Sequence, residues 1–333
     1  MVTIKDVARA AGVSPATVSR VLNERPDVDP ALVDRVQAAV VQLGYQPSRV
    51  ARNLRRQQTS VWGMVISDIR NPFFTDMVRA VEDVAYAAGY SLVLCDSDED
   101  ITKEARYLDL IVAERMAGAI VSPASPAASD LGPVVAHGIP VVLVDRRVDS
   151  PTLDTVLVDN RRGAHDAVEH LIANGYRRIA CITGPERTTT GAERLAGYRD
   201  ALERAGRPFD ANLVRFADFH EAGGFEATRS LLELRVSPEA IFVANNLMTL
   251  GALGAIEEAG RTIPAQVALV GFDDMPWARL VRPPLTTIAQ PTYELGRETA
   301  RLLLSRIRGD QSSPRHVMLA TSLRIRGSSA RRT

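Results

Sequence analysis

Cysteine is almost missing from these 333 residues: there are two, Cys95 and Cys181, and no CxxC. A disulfide scaffold or a structural zinc site therefore has no support, and the usage suits a reducing cytosol. No stretch approaches the ~18 to 20 apolar residues that span a bilayer. Lys5, Asp6 and Arg9 fall where a secretory signal would need an unbroken apolar core. A cytoplasmic protein is expected. The motifs of common catalysts are missing too: no GxGxxG after a strand, no GxxxxGK[ST], no GxSxG and no HExxH. His165 and His170 are five residues apart on a helical run, about 140° out of phase at ~100° per residue, and so share no ligand face. The paired carboxylates Asp98/Asp100 and Asp273/Asp274 read as acid-rich loops. No enzyme activity, no metal and no cofactor is expected.

Net charge is also missing, since 40 basic residues balance 40 acidic ones, but the balance is uneven along the chain. Residues 1–60 carry nine basic and five acidic side chains, a surplus of four that the remainder cancels. A small basic head on a larger acidic body suits a polyanion-binding module joined to something else. At roughly 150 residues per domain, the length suits two or three domains.

Residues 1–45 read as three short helices. Thr3 with Asp6 makes a Thr-x-x-Asp opening, and Gly12 ends the first helix after Ala11. Ser14 caps the second, with Pro15 at the position where a missing N–H does no harm. Asp29-Pro30 repeats that start for the third, which Gly44 ends. Two helices joined by a tight glycine-containing turn form a helix-turn-helix. From Val61 onward, apolar strands alternate with amphipathic helices. Strands are expected at Val61–Ser67, Ser91–Asp96, Gly118–Ser122, Pro140–Asp145, Thr155–Val158, Arg178–Thr183, Ala240–Ala244 and Val267–Phe272. Helices are expected at Phe74–Ala88, Asn160–Ala173, Glu193–Ala205, Gly223–Leu232 and Leu247–Ala259. This alternation predicts parallel sheets flanked by helices, and the strand count suits two lobes.

In a helix-turn-helix the second helix enters the major groove and its first residues meet base edges. Here that helix reads SPATVSRVL, with Val18, Val21 and Leu22 able to face a small core and Pro15, Ala16, Thr17, Ser19 and Arg20 free to face DNA. Short polar side chains at Thr3, Ser14, Thr17, Ser19 and Asn23 suit phosphate positioning, and Arg20 suits bidentate reading of guanine O6 and N7. Taken one at a time, Ser14 as a plain cap and Arg20 as a solvated charge are the more ordinary readings. Residues 48–56, SRVARNLRR, hold four arginines and no acid. They read either as an amphipathic linker or as a short helix in the minor groove, with Ala51, Leu54 and Arg55 at the DNA and Leu54 wedged between base steps.

TIKDVARAAGVSPATVSRVLN followed by ARNL resembles the head of the lactose-repressor (LacI/GalR) family of bacterial transcription regulators. NPFF (71–74), DNRRGA (159–164), HLIANGYRRIA (170–180), GAERLAGY (191–198), GFDD (271–274) and PPLTTIAQP (283–291) resemble the family's sugar-binding core. The resemblance implies an all-α helix-turn-helix head (1–46), a hinge helix (47–60) and a two-lobed α/β body of periplasmic-binding-protein type (61–327). The lobes would be 61–158 plus 291–318 and 159–290 plus 319–327, followed by a tail at 328–333. It also implies a homodimer on a palindromic operator and a sugar-like effector between the lobes. The broad apolar stripe of Phe74–Ala88 is wide enough for both core and partner, and no leucine heptad follows Gly327.

Ligands of open α/β sheets settle beyond the carboxyl ends of the strands. The candidates there are Asn71, Phe73, Thr190, Arg194, Phe219, Asn245, Asn246, Asp273 and Trp277. Asp273 and Arg194 can clamp vicinal hydroxyls, and Phe73 or Phe219 can cover an apolar sugar face. Trp277 can stack or sit buried at a lobe interface. Other readings exist: Arg194 paired with Glu193 on a surface helix, Phe73 as core, and Asp273 as a helix cap. Two departures from the family stand out. Asn245-Asn246 replaces a common Asn-Asp, giving one carboxylate fewer, and Thr188 replaces the arginine of the purine-responsive branch. A sugar receptor without DNA function, or a sugar-acting enzyme, are the alternatives. The basic head opposes both.

Overall fold

The computed structural model describes residues 2–22, 25, 27–45, 59–149 and 152–330. They fall into two compact units, 1–59 and 60–333.

Among its described residues the first unit has three helices: α1 (Ile4–Ala11), α2 (Pro15–Leu22) and α3 (Pro30–Leu43). Each begins where the sequence supplies a cap. The Asp6 amide donates to Thr3 Oγ1 at 3.4 Å, and the Thr3 amide donates back to the Asp6 carboxylate at 3.0 Å. Ser14 Oγ accepts from the Thr17 amide at 3.1 Å, and Asp29 from the Ala31 amide at 2.9 Å. Gly12 takes φ 61° and ends α1. Its turn is pinned from α3, because Arg35 donates to the Ala11 and Gly12 carbonyls at 2.6 and 3.2 Å. Val7, Ala8, Ala11, Val18, Val21, Val36 and Ala39 make a small shared core.

The second unit has two six-stranded sheets. The first holds β1 (Val61–Ile66), β2 (Ser91–Asp96), β3 (Gly118–Val121), β4 (Val141–Val144), β5 (Asp154–Val158) and β11 (His316–Leu319), in the order β11-β5-β4-β3-β1-β2 and all parallel. The second holds β6 (Ile179–Thr183), β7 (Val214–Phe216), β8 (Ala240–Val243), β9 (Ala268–Phe272), β10 (Thr286–Ala289) and β12 (Ser322–Arg324), in the order β12-β10-β9-β8-β6-β7, with only β12 antiparallel. In β1, Trp62, Met64 and Ile66 enter one apolar cluster while Val61 and Val65 face the other. Helices thus cover both faces, as parallel sheets require.

The helices that matter for the site are α4 (Phe73–Ala87), α5 (Ile101–Ala113), α7 (Asn160–Ala173), α8 (Thr189–Arg204), α9 (Glu221–Leu232), α10 (Asn246–Glu258) and α11 (Thr292–Ile307); α6 (Gly132–Ala136) is a short connector. The chain passes between sheets three times: β5 to α7, β10 to α11, and β11 to β12. Leu319 belongs to β11, paired with Val158, so the first sheet keeps one residue that the sequence reading gave to the second lobe. The expected hinge segment 47–60, with Ala51, Leu54 and Arg55, lies largely outside the described residues, as does Asn23. Among the described residues no helix is long and apolar enough to cross a membrane.

Candidate functional site

A cavity of about 30 Å³ lies where the strands of both sheets end. Every wall residue comes from a loop or helix start after a strand. Ser67, Asp68 and Asn71 follow β1, Glu99 follows β2, and Asp145 and Arg146 follow β4. From the other sheet, Thr190 and Arg194 follow β6, Phe219 and His220 follow β7, Asn245 follows β8, Asp273 follows β9 and Gln290 follows β10. The space holds only one or two water molecules.

Buried charge dominates its walls. Arg194 is 4 % exposed; its Nε donates to Asn160 Oδ1 at 2.8 Å, its Nη1 donates to the Ala244 carbonyl at 2.5 Å, and its guanidinium stacks 3.8 Å from the Phe272 ring centre. The pairing with Glu193 considered from sequence does not form; Glu193 instead accepts from Arg147 across the lobes. Asp273 accepts from the Asn246 amide at 3.2 Å and from Gln290 Nε2 at 2.5 Å. Burial raises its pKa, against the pull of Arg194. Asp145 is buried beside Arg146, and burial pushes it up to about 6. Arg146 is itself held by Glu99 through two bonds of 2.6 Å.

Four of these residues hold left-handed backbone: Glu99 at φ 57°, Asp145 at φ 65°, Phe219 at φ 65° and Asp273 at φ 77°. Aspartate tolerates that region through local hydrogen bonds, but phenylalanine gains nothing there. The Phe219 conformation lays its ring against Gly184, where a Cβ would sit 1.9 Å from the ring.

Oxygens without partners also converge here. Thr190 Oγ1, Asn246 Oδ1, Gln290 Oε1 and Ser67 Oγ are buried and bond to no protein atom. Such atoms are rare in native interiors, and several at one cleft mark a place for a polar ligand.

Seven of the nine sequence candidates line the cavity: Asn71, Phe73, Thr190, Arg194, Phe219, Asn245 and Asp273. Asn246 stands behind them and donates to Asn71 Oδ1 at 2.8 Å, tying one lobe to the other. Asn245 lines the wall with its side chain already committed. Its Nδ2 donates to the Phe219 carbonyl at 2.8 Å and its Oδ1 caps α10 through the Met248 amide at 2.9 Å, so it positions neighbours. Trp277 is not in the wall. The turn Pro276–Arg279 carries it away from Asp273 to pack on the second lobe's core, which corrects the stacking role. Sequence reading missed Asp145, Arg146, Glu99, Gln290 and His220. The one available signal was that Asp145-Arg146 ends a strand, as Asp273 does.

At the cleft mouth, Arg70 donates to Asp68 at 3.1 Å, to Asp98 at 3.1 Å and to His220 Nε2 at 3.0 Å, joining the β1 and β2 loops to the β7 loop. With Asn71–Asn246 and Arg147–Glu193, this holds the lobes shut over the cavity.

In the first unit, Pro15, Ala16 and Arg20 are exposed on α2, while Thr17 and Ser19 are half-buried. Thr3 and Ser14 spend their hydroxyls on the caps described above. Arg20 donates to Asp27 at 2.9 Å.

Residues 3–48 match the model for bacterial regulatory proteins of the lacI family, and residues 168–329 match the periplasmic binding protein-like domain. The ribose operon repressor of Halalkalibacterium halodurans is 39% identical over 92% of this chain and 91% of its own length. The chain belongs to the lacI family of bacterial regulatory proteins. It is a ligand-responsive, DNA-binding transcription regulator. Among solved structures, the lac repressor dimer bound to operator and the anti-inducer ONPF is 30% identical with a TM-score of 0.85, over 99% of both chains. An Enterococcus faecium LacI-family regulator with bound ribose is 29% identical with a TM-score of 0.74, over 82% of this chain and all of that one.

Proposed function

We propose that this regulator is a homodimeric repressor whose cleft takes an unphosphorylated sugar of about pentose size, and that the sugar weakens its hold on a palindromic operator. Residues 1–46 bind the operator, 47–60 form the hinge, and 61–327 bind effector and dimerise. The observation that carries the sugar reading is the convergence of Ser67 Oγ, Thr190 Oγ1 and Gln290 Oε1, unpartnered, with the carboxylates of Asp145 and Asp273 and the guanidinium of Arg194. A ring of neighbouring hydroxyls offers a donor and an acceptor at each carbon, which this mixed set can satisfy. Phe73 and Phe219 supply the apolar cover for a sugar face. The space between the closed lobes holds only one or two waters, so the lobes part to admit any sugar, and the ribose named for two of the relatives above is the first compound to try. Thr188 caps α8 here through the Gly191 amide and offers a purine no cation.

Calorimetry of the purified chain with D-ribose, other pentoses, hexoses, pentose 5-phosphates and purine bases tests this. Saturable binding of a neutral pentose, with a matching rise in melting temperature, supports it. Tight binding confined to purines or phosphosugars would reject it. Removing the Arg70 clasp should speed release. For Arg70→Ala, D-ribose dissociation measured by stopped flow is expected to rise several-fold, since the variant loses the bonds to Asp68, Asp98 and His220 that join the lobes. An unchanged rate would show that the clasp does not gate the cleft.

For the head, we assign base reading to Arg20. Arg20→Ala should weaken selected operators by ~1–3 kcal/mol and relax preference at one base pair. A randomised-operator selection returning the wild-type profile would refute that role.

A further inference from the structure

We infer that Asp27 is a specificity-determining residue of the DNA-binding unit, acting through Arg20. The inference rests on the assignment of Arg20 to base reading. Asp27 lies in the turn between α2 and α3, and that turn is fixed at both ends. The Arg25 amide donates to the Arg20 carbonyl at 3.2 Å, and Asp29 caps α3 through the Ala31 amide at 2.9 Å. So placed, the Asp27 carboxylate meets Arg20 Nη2 at 2.9 Å, and among the described residues it makes no other side-chain bond.

This pair does little for the fold. Both side chains are more than half exposed, 62 % and 56 %, and pairs so open to solvent contribute little to stability. A carboxylate beside the recognition helix also works against the phosphate attraction that supplies most non-specific affinity. The acid is therefore costly where it stands unless selectivity requires it.

Two effects follow from the geometry. The carboxylate takes one of the two Nη2 hydrogens, which leaves the other, together with Nη1 or Nε, as the fork for guanine O6 and N7, and a restrained fork loses less freedom on docking. Facing another base, Arg20 finds no matching acceptor pair, so the cost of placing the Asp27 carboxylate in the negative field of the DNA is not offset by a base contact. Discrimination built from a penalty on wrong partners has this form. Asp27 thus lowers affinity for all DNA and lowers it least where a guanine engages Arg20.

The test uses the full chain as wild type, Arg20→Ala, Asp27→Ala and the double variant, all at one fixed salt concentration. Each is titrated by fluorescence anisotropy against a duplex chosen from a randomised palindrome library by the wild type, and against a scrambled duplex. Asp27→Ala is expected to bind scrambled DNA several-fold more tightly and to lose about tenfold in the ratio of selected to scrambled affinity. The double variant should lose no more than Arg20→Ala alone. A ratio unchanged by Asp27→Ala, with Arg20→Ala still relaxing preference, overturns the inference and leaves Arg20 as the reader. Losses that add in the double variant overturn it as well, since Asp27 would then act apart from Arg20. If Arg20→Ala keeps the wild-type ratio, the reading on which the inference rests falls first. Asp27→Asn keeps the turn and removes the charge, so a ratio lost in Asp27→Ala but kept in Asp27→Asn would assign the effect to shape and reject the charge argument.

Discussion

Asp273→Asn is expected to erase the response to D-ribose while leaving the regulator at least as stable as the wild type and its operator affinity within about twofold. The stability half follows from what surrounds the carboxylate. It is buried, its two bonds come from the Asn246 amide and Gln290 Nε2, and among the described residues no arginine reaches it within ion-pair distance. Burial accordingly raises its pKa. A neutral amide relieves that desolvation. Its carbonyl keeps the bond from Asn246, and Gln290 can turn its amide so that the otherwise unpartnered Oε1 accepts from the new NH2. The binding half follows from the lost charge. A hydrogen bond to an ionised group contributes about 1.5–3 kcal/mol, so one hydroxyl costs roughly ten- to a hundredfold in affinity and a bidentate pair more. Ribose titration of operator complexes decides it, and release of DNA at the wild-type ribose concentration would mean the cleft is not the effector site.

Why Asp273 was legible and Asp145 was not shows what a sequence can carry. Asp273 stands in GFDD, a pattern that marks itself. Asp145-Arg146 ends a strand just as squarely, but an Asp-Arg pair after VVLV reads as a surface turn, and nothing local says that Glu99, 47 residues earlier in the chain, will neutralise the arginine in the interior. Strong, repeated strand–helix alternation located eight of the twelve strands. The four that escaped, β7, β10, β11 and β12, are three or four residues long, and β11 and β12 lie at sheet edges, where alternation has little room to build up. Helices α5 and α11 leave a weaker signal because their apolar positions are diluted by charged residues that face solvent. In the small unit, by contrast, the three helix starts and the ends of α1 and α3 are each set by a cap or a glycine, which is local chemistry, and those boundaries fall where these residues stand. Trp277 failed for the opposite reason: proximity in sequence to Asp273 says nothing of direction once a tight turn intervenes.

The second large effect concerns acid. Burial pushes Asp145 up to about 6 from an ordinary 3.8, with Asp273 and Glu99 adding to the shift and Arg146 and Arg194 opposing it. Below about pH 4 the group is protonated both folded and unfolded, and contributes nothing to pH dependence. Between about 4 and 6 the unfolded chain releases this proton while the native cleft retains it, so this group's share of stability falls as pH rises. Above 6 the loss is complete, about 3 kcal/mol for roughly two units at ~1.4 kcal/mol each. Asp145→Asn should therefore be more stable than wild type at pH 7.5 by up to that amount, with the difference shrinking towards pH 4 in paired thermal melts. Effector binding carries the reverse sign. The ionised carboxylate accepts sugar hydroxyls better than the acid does, so binding expels the proton and D-ribose affinity should rise by up to tenfold per unit from pH 5 to 6, then level off. Asp145→Asn should bind more weakly and without that slope. Equal slopes in the two proteins would place the titrating group elsewhere, and a wild-type affinity flat across pH 5 to 7 would mean that Asp145 is already ionised in the unliganded cleft, held so by Arg146 and Arg194.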